Sequence, residues 1–229
     1  MPTKMELQNG SSRHQFGRTM QRELSAGPHA LISSVSSTSA PRDFTRNAII
    51  YEQGQPAGQL YKITSGAVRT CNVLSDGRRQ IGAFYLPGDM FGLETEEQHL
   101  FSAEAVIDSK VLMIERPTSP FARSDKVGSQ MWTALTRREL KRAQDHLLLL
   151  GKTALERVVS FLLEMVERLR FSDRVELPMP RRDIADYLGL TIETVSRVLT
   201  QLENESAIEL LTSKQIVLRK QAALRRLLA

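Results

Sequence analysis

In TIETVSRVLT, residues 191–200, Glu193, Ser196, Arg197 and Thr200 recur at the three- and four-residue spacing of one helix face. A guanidinium that donates, a carboxylate that accepts and a short hydroxyl together suit the polar floor of a DNA major groove. The other face of the same stretch is apolar, with Ile192, Val195, Val198, Leu199 and Leu202, and needs a core beneath it. Thr191 stands where an N-cap belongs, its hydroxyl able to accept from an amide of the first turn. Most polar helix faces simply meet water, so the elements around this one must decide.

The preceding residues, RRDIADYLGL, place Ile184, Leu188 and Leu190 on one side and the small Ala185 at a crossing point. Gly189 supplies the bend, and the whole reads as a helix-turn-helix. Residues 208–219, IELLTSKQIVLR, read as a β-hairpin whose tip at 212–214 forms a wing. LPMP at 177–180 ends any earlier helix.

The chain has 229 residues, room for two cores, and a formal net charge of +5 that suits a polyanionic partner. With one cysteine, Cys71, intrachain disulfides, cysteine zinc sites and cysteine-ligated clusters are excluded. No apolar run approaches the roughly 20 residues of a membrane span, and the start lacks a signal-peptide core. The cytoplasm is the expected compartment, with no membrane partner.

Residues 1–46, rich in Ser, Gln, Arg and Gly, read as a flexible tail with at most a short helix near residue 20. From 47 to 124 short apolar runs are punctuated by Gly54, Gly66, Gly77, Gly82, Gly88 and Gly92, read as turns needing positive φ. Strands so short and evenly spaced imply an antiparallel barrel or jelly roll, and SDGRR carries an Asp-Gly hairpin signal. Residues 125–153 read as a long helix with a seam of Leu140, Ala143, Leu147, Leu150 and Ala154, expected along a homodimer axis. A second stripe, Met131, Leu135 and Trp132, is expected to face the chain's own barrel. Residues 154–229 form the winged helix-turn-helix unit, with Val158, Phe161, Leu162 and Met165 packing beneath it. The fold class is α+β: a cyclic-nucleotide-binding-like β-barrel, a long dimerisation helix and a C-terminal reader.

LPGDMFG, FSAEAV and IADYLGLTIETVSRVL, in this order and at domain-scale spacing, resemble the Crp/Fnr superfamily of bacterial transcription regulators over about residues 47–219. TIETVSR is similar to the reader of its FixK and Fnr branch. The resemblance implies that Glu193, Ser196 and Arg197 read a TTGA-type half-site of an inverted repeat. Arg197 and Glu193 then divide the edges of its G·C pair, by donation to guanine and acceptance from cytosine. Thr191, Thr194 and Thr200 fall to backbone or methyl contacts, and Lys214 in the wing to a phosphate. Further partners implied are double-stranded DNA, a second copy of the chain and RNA polymerase.

The chain departs from the family in three places. The N-terminal cysteines of Fnr-type oxygen sensors are absent. Where cyclic-AMP-binding members carry Gly-Glu and Arg-Ser pairs, Gly92 is followed by Leu93, and Phe101 precedes Ser102. Without that arginine a cyclic phosphate loses its strongest contact, so the pocket is expected to be filled by Phe101 and Phe91. No cofactor is expected: His14, His29, His99 and His146 form no motif and are read as solvent-facing, and Cys71 as inert. Thirdly, Pro180 stands at the start of the first reader helix, read as its first residue, leaving Asp183 without the capping Ser or Thr usual in the family. The leading reading is an effector-independent FixK-type regulator of low-oxygen, denitrification or nitrogen-fixation genes. The alternative is a sensor whose barrel holds a small molecule. An enzyme is disfavoured, because no nucleophile-base pair or metal-ligand spacing is visible.

Overall fold

The computed structural model describes residues 40–94, 96–115, 126–169 and 174–228, without the side chains of 126–132. The expectations for residues 1–39, including His14 and His29, and for the Met131 and Trp132 side chains lie outside the described residues.

Eight strands come first: β1 (Arg42–Phe44), β2 (Ile49–Tyr51), β3 (Gln59–Ser65), β4 (Val68–Val73), β5 (Arg79–Tyr85), β6 (Met90–Phe91), β7 (Ser102–Ala105) and β8 (Ser109–Glu115). They form two four-stranded sheets, ordered β1-β8-β3-β6 and β2-β7-β4-β5, with antiparallel neighbours throughout. The inner faces enclose a core of Tyr51, Tyr61, Ile63, Val68, Tyr85, Phe91 and Val111.

The barrel begins earlier than expected. β1 lies inside the stretch assigned to the tail; it pairs Arg42 with Val111 and Phe44 with Ser109 and buries Phe44. Three residues with a single apolar side chain are too short for alternation to show. Gly54, Gly66, Gly77, Gly88 and Gly92 take positive φ as expected, but Gly82 does not. It lies within β5, where an added Cβ would meet the Phe101 ring at 3.4 Å, about an ordinary contact, so no turn requires this glycine. The Asp-Gly hairpin closes β4 onto β5 through Leu74 N–H to Arg78 O at 2.8 Å.

Helix α1 (Lys126–Leu148) runs into a 3-10 turn, Leu149–Gly151. On its barrel side Leu135 is 3% exposed among Leu60, Met90 and Ile114, as the second stripe required. Helix α2 (Ala154–Leu169) opens on a reciprocal cap: Glu156 N–H donates to Thr153 Oγ1 at 3.3 Å, and Thr153 N–H to Glu156 Oε2 at 2.7 Å. Its Val158, Phe161, Leu162 and Met165 are buried against α3 (Arg181–Leu188) and α4 (Ile192–Asn204).

β9 (Arg174–Glu176), β10 (Ile208–Leu210) and β11 (Gln215–Leu218) build the wing sheet in the order β10-β11-β9, and α5 (Gln221–Arg226) closes the chain. The hairpin was legible; β9 and α5, three and six residues long, were not. The outer face of β4 and β5 supplies Cys71, Ile81 and Phe84 to the same core as α2, α3 and α4. Barrel and reader therefore share apolar packing. Burial pushes the Cys71 thiol up to about 11, which leaves it protonated and unreactive at neutral pH.

Candidate nucleic-acid interface

Local sequence sets the start of α4. Gly189 takes the left-handed conformation, φ 64°, that ends α3. Two residues on, Thr191 Oγ1 accepts from Thr194 N–H at 3.2 Å, as an N-cap should. Val195, Val198, Leu199 and Leu202 are buried, and the small Ala185, 1% exposed, lets the two helices approach. Ile192 departs from expectation. At 37% exposure it lies outside the core, on the first turn of α4.

The opposite face carries the expected readers. Glu193, Arg197 and Thr200 are exposed and Ser196 half-buried; Thr191 is exposed and Thr194 half-buried beside them. Hydrogen bonds from the Glu193 backbone amide and from Thr191 hold the Glu193 carboxyl below its ordinary range. It is thus an acceptor throughout the neutral range. Arg197 forms no ion pair with any described residue. Sequence reasoning missed Arg181, whose Nη1 donates to Ser196 Oγ at 3.4 Å. In the wing, Thr212 Oγ1 accepts from Lys214 N–H at 3.2 Å and Gln215 N–H at 2.9 Å, fixing the tip. Lys214 is half-buried there, and its carbonyl accepts from Leu177 N–H at 2.8 Å.

Along α1, Leu140 and Leu147 are 57% and 62% exposed, and Leu150 beyond its end 70%. Ala143 is also exposed, while Ala154 is half-buried against the reader's core. Leu148, absent from the expected seam, is exposed too.

Behind these surfaces lies a joint that periodicity gave no hint of. Asp89, from LPGDMFG, is buried. Its Oδ2 accepts from Arg142 of α1 at 2.7 Å and from Arg168 of α2 at 2.8 Å, and its Oδ1 from Arg138. Burial raises the Asp89 pKa, but Arg142, Arg168 and Arg138 outweigh it and the net shift is downward. One carboxylate thus ties barrel, long helix and reader together.

The barrel pocket keeps a cavity of about 630 Å³ beside Phe101, Glu94, Arg142 and His146. Phe91 is packed into the barrel core and Phe101 stays half-buried, so the two fill the pocket only in part. Neither described histidine faces solvent as expected. His99 is 2% exposed and stacks on Tyr51 with centroids 3.6 Å apart. His146 is half-buried against Tyr187. An aromatic partner across the sheet or a neighbouring helix is invisible to local pattern. Among the described residues no group of His, Cys, Asp and Glu is arranged to hold a metal ion, and no helix is long and apolar enough to cross a membrane.

Comparison with known proteins agrees with both halves. Residues 41–118 match the cyclic nucleotide-binding domain family and residues 156–227 the Crp-like helix-turn-helix domain family. The chain is 46% identical over 222 residues to the nitrogen fixation regulation protein FixK of Azorhizobium caulinodans, covering 93% of this chain and 88% of that protein. The chain belongs to the Crp/Fnr family. Its FixK likeness extends to the FixK of Rhizobium meliloti, 44% identical over 78% of this chain and 82% of the relative. The solved structure of FixK2 from Bradyrhizobium japonicum superimposes with a TM-score of 0.77 at 47% identity, covering 83% of this chain and 98% of that one. This Crp/Fnr protein is therefore a FixK-like, DNA-binding transcription regulator, and its relatives are regulators rather than enzymes.

Proposed function

We propose that the protein works in the cytoplasm as a homodimer. It binds a TTGA-type inverted repeat, contacts RNA polymerase and activates genes of low-oxygen respiration, denitrification or nitrogen fixation. The observation that carries this reading is the polar face of exposed Glu193 and Arg197 with half-buried Ser196, on a helix whose opposite side buries Val195, Val198, Leu199 and Leu202. Thr191, Thr194 and Thr200 flank that face as backbone or methyl contacts, and Lys214 serves a phosphate. Exposed Leu140, Ala143, Leu147 and Leu150 supply the seam between copies, with Ala154 at its end. Two readers related by a twofold axis need half-sites about one helical turn apart. The names of relatives, two nitrogen fixation regulation proteins and an anaerobic regulatory protein, support the nitrogen-fixation and low-oxygen gene classes.

Random-site selection with the purified chain and no added molecule, followed by sizing of the complex, tests the reading. Enrichment of a TTGA palindrome bound by two chains is the expected outcome. Enrichment of single half-sites by one chain refutes it. The cavity beside Phe101, lined in part by Tyr51, whose buried hydroxyl has no hydrogen-bond partner among the described residues, favours a second reading, a regulator that requires a small effector. Selection that succeeds only after a cell extract's small molecules are added supports that alternative.

A further inference from the structure

Asp183 lacks the capping partner its place at the start of α3 calls for. Pro180 is the N-cap, one place before the first-residue position expected for it, and accepts nothing through its side chain. The carboxylate turns instead to the barrel, where it is 2% exposed. Asp183 Oδ2 accepts from Arg69 Nη1 of β4 at 2.5 Å, and Oδ1 accepts from Arg79 Nη2 of β5. Arg79 also donates to Asp186, from Nε at 3.1 Å and Nη2 at 2.8 Å. Arg69 is itself fixed by Glu104 of β7, with Nε and Nη2 donating at 2.9 and 2.6 Å. The result is a row of alternating charge, Glu104, Arg69, Asp183, Arg79, Asp186, running from the sheet into the reader.

Beneath the row the same interface is apolar, with Phe84 5.3 Å from Tyr187 and 6.3 Å from Phe161 between ring centroids. Apolar contact is non-directional, so it holds the reader to the barrel without choosing one orientation. Buried ion pairs add little net stability, but moving them apart strands the buried Asp183 and Arg69 without their partners. They select one arrangement. Because α3 and α4 are locked to each other at Ala185 and Gly189, fixing Asp183 fixes the reading face. Because Asp89 holds the barrel to α1, the reading face is also fixed relative to the exposed leucine seam. Glu193 and Arg197 stay uncovered in this arrangement.

We propose that the row from Glu104 to Asp186 is the positioning device that presents the reading helix without a ligand, and that it sets the half-site spacing the dimer accepts. This deepens the dimeric reading above and rests on it. The test uses the full chain on DNA carrying two half-sites at the selected spacing and at spacings longer or shorter by one and two base pairs. Each base pair shifts a half-site by about 3.4 Å along the axis and turns it by about a tenth of a helical turn. Wild type is expected to discriminate sharply among these sites. Asp183→Asn, checked as a folded dimer by melting and sizing, is expected to lose about tenfold on the preferred spacing and most of its discrimination against the others.

Arg79→Gln, at a side chain that is 25% exposed, is the milder variant for use if Asp183→Asn fails to fold. It should relax discrimination in the same direction. A purely structural role would lower the melting temperature and leave the spacing profile intact. Folded, dimeric variants with the wild-type spacing profile overturn the proposal. So do variants that bind the preferred site more tightly, since the row would then restrain the reader rather than present it. A wild type that is monomeric or indifferent to spacing refutes the dimeric reading itself, and is read without any variant.

Discussion

Two kinds of surface meet in the helix-turn-helix, and their charges are handled in opposite ways. On α3, Asp183 and Asp186 are bound by Arg69 and Arg79 from the barrel. On α4, one turn of chain away, Arg197 has no ion pair among the described residues and Glu193 is exposed. The long helix repeats the contrast, with Arg138 and Arg142 paired to buried Asp89 while Leu140 and Leu147 stand in the open. Groups satisfied inside the chain hold its parts in register. Groups left open to solvent are where the function proposed above places DNA and a second copy of the chain.

The largest effect that can break this contrast is at the open leucines. Leu147→Glu puts a charge into the proposed seam and should lower affinity for a palindromic site by about a hundredfold or more, because two linked half-site contacts become one. Sizing of the variant should show monomers, and a dimer with unchanged affinity would remove Leu147 from the seam. Next comes the closed joint. Asp89→Asn leaves three guanidiniums facing a neutral amide and should cost about 3 kcal/mol in denaturant unfolding. The sign with pH follows from its depressed folded pKa. The ionised carboxylate contributes fully above the unfolded value of about 4, and that contribution fades as pH falls through the folded value. The stability gap between wild type and Asp89→Asn should therefore be flat near neutrality and close in acid. A gap that widened in acid would contradict the assignment.

A smaller effect is expected at the reading face. Arg197→Ala should cost about 1 to 3 kcal/mol on a TTGA palindrome and relax discrimination at its G·C position, with the melting temperature unchanged because this exposed side chain has no ion pair among the described residues. Equal losses on every sequence would make Arg197 a phosphate contact. Smallest is Thr191→Ala, which removes the cap of α4 and should cost about 1 kcal/mol of stability. Amide exchange confined to the first turn of α4 would locate the loss.

The local half of this picture could be read along the chain. The Gly189 turn, the Thr191 cap, the buried series Val195, Val198, Leu199 and Leu202, and the wing hairpin follow from helical period, cap chemistry and strand alternation, all of which act within a few residues. What failed to show was short or distant. β1 and β9 have three residues each, less than alternation needs, and Ile192 has an apolar side chain that stays 37% exposed. His99 looked like a surface histidine until Tyr51, far earlier in the chain, stacked upon it.

The sequence by itself determined the reading helix, the residues on its polar face and the family to which they point, because helix periodicity places residues three and four apart side by side whatever the rest of the chain does. Only the tertiary structure decided how that helix is held. Asp183 and Arg69 are 114 residues apart, and Asp89 and Arg168 are 79 apart. No local pattern names the partner of a buried charge. That choice is made when two surfaces pack and the charges between them must be paired or left stranded.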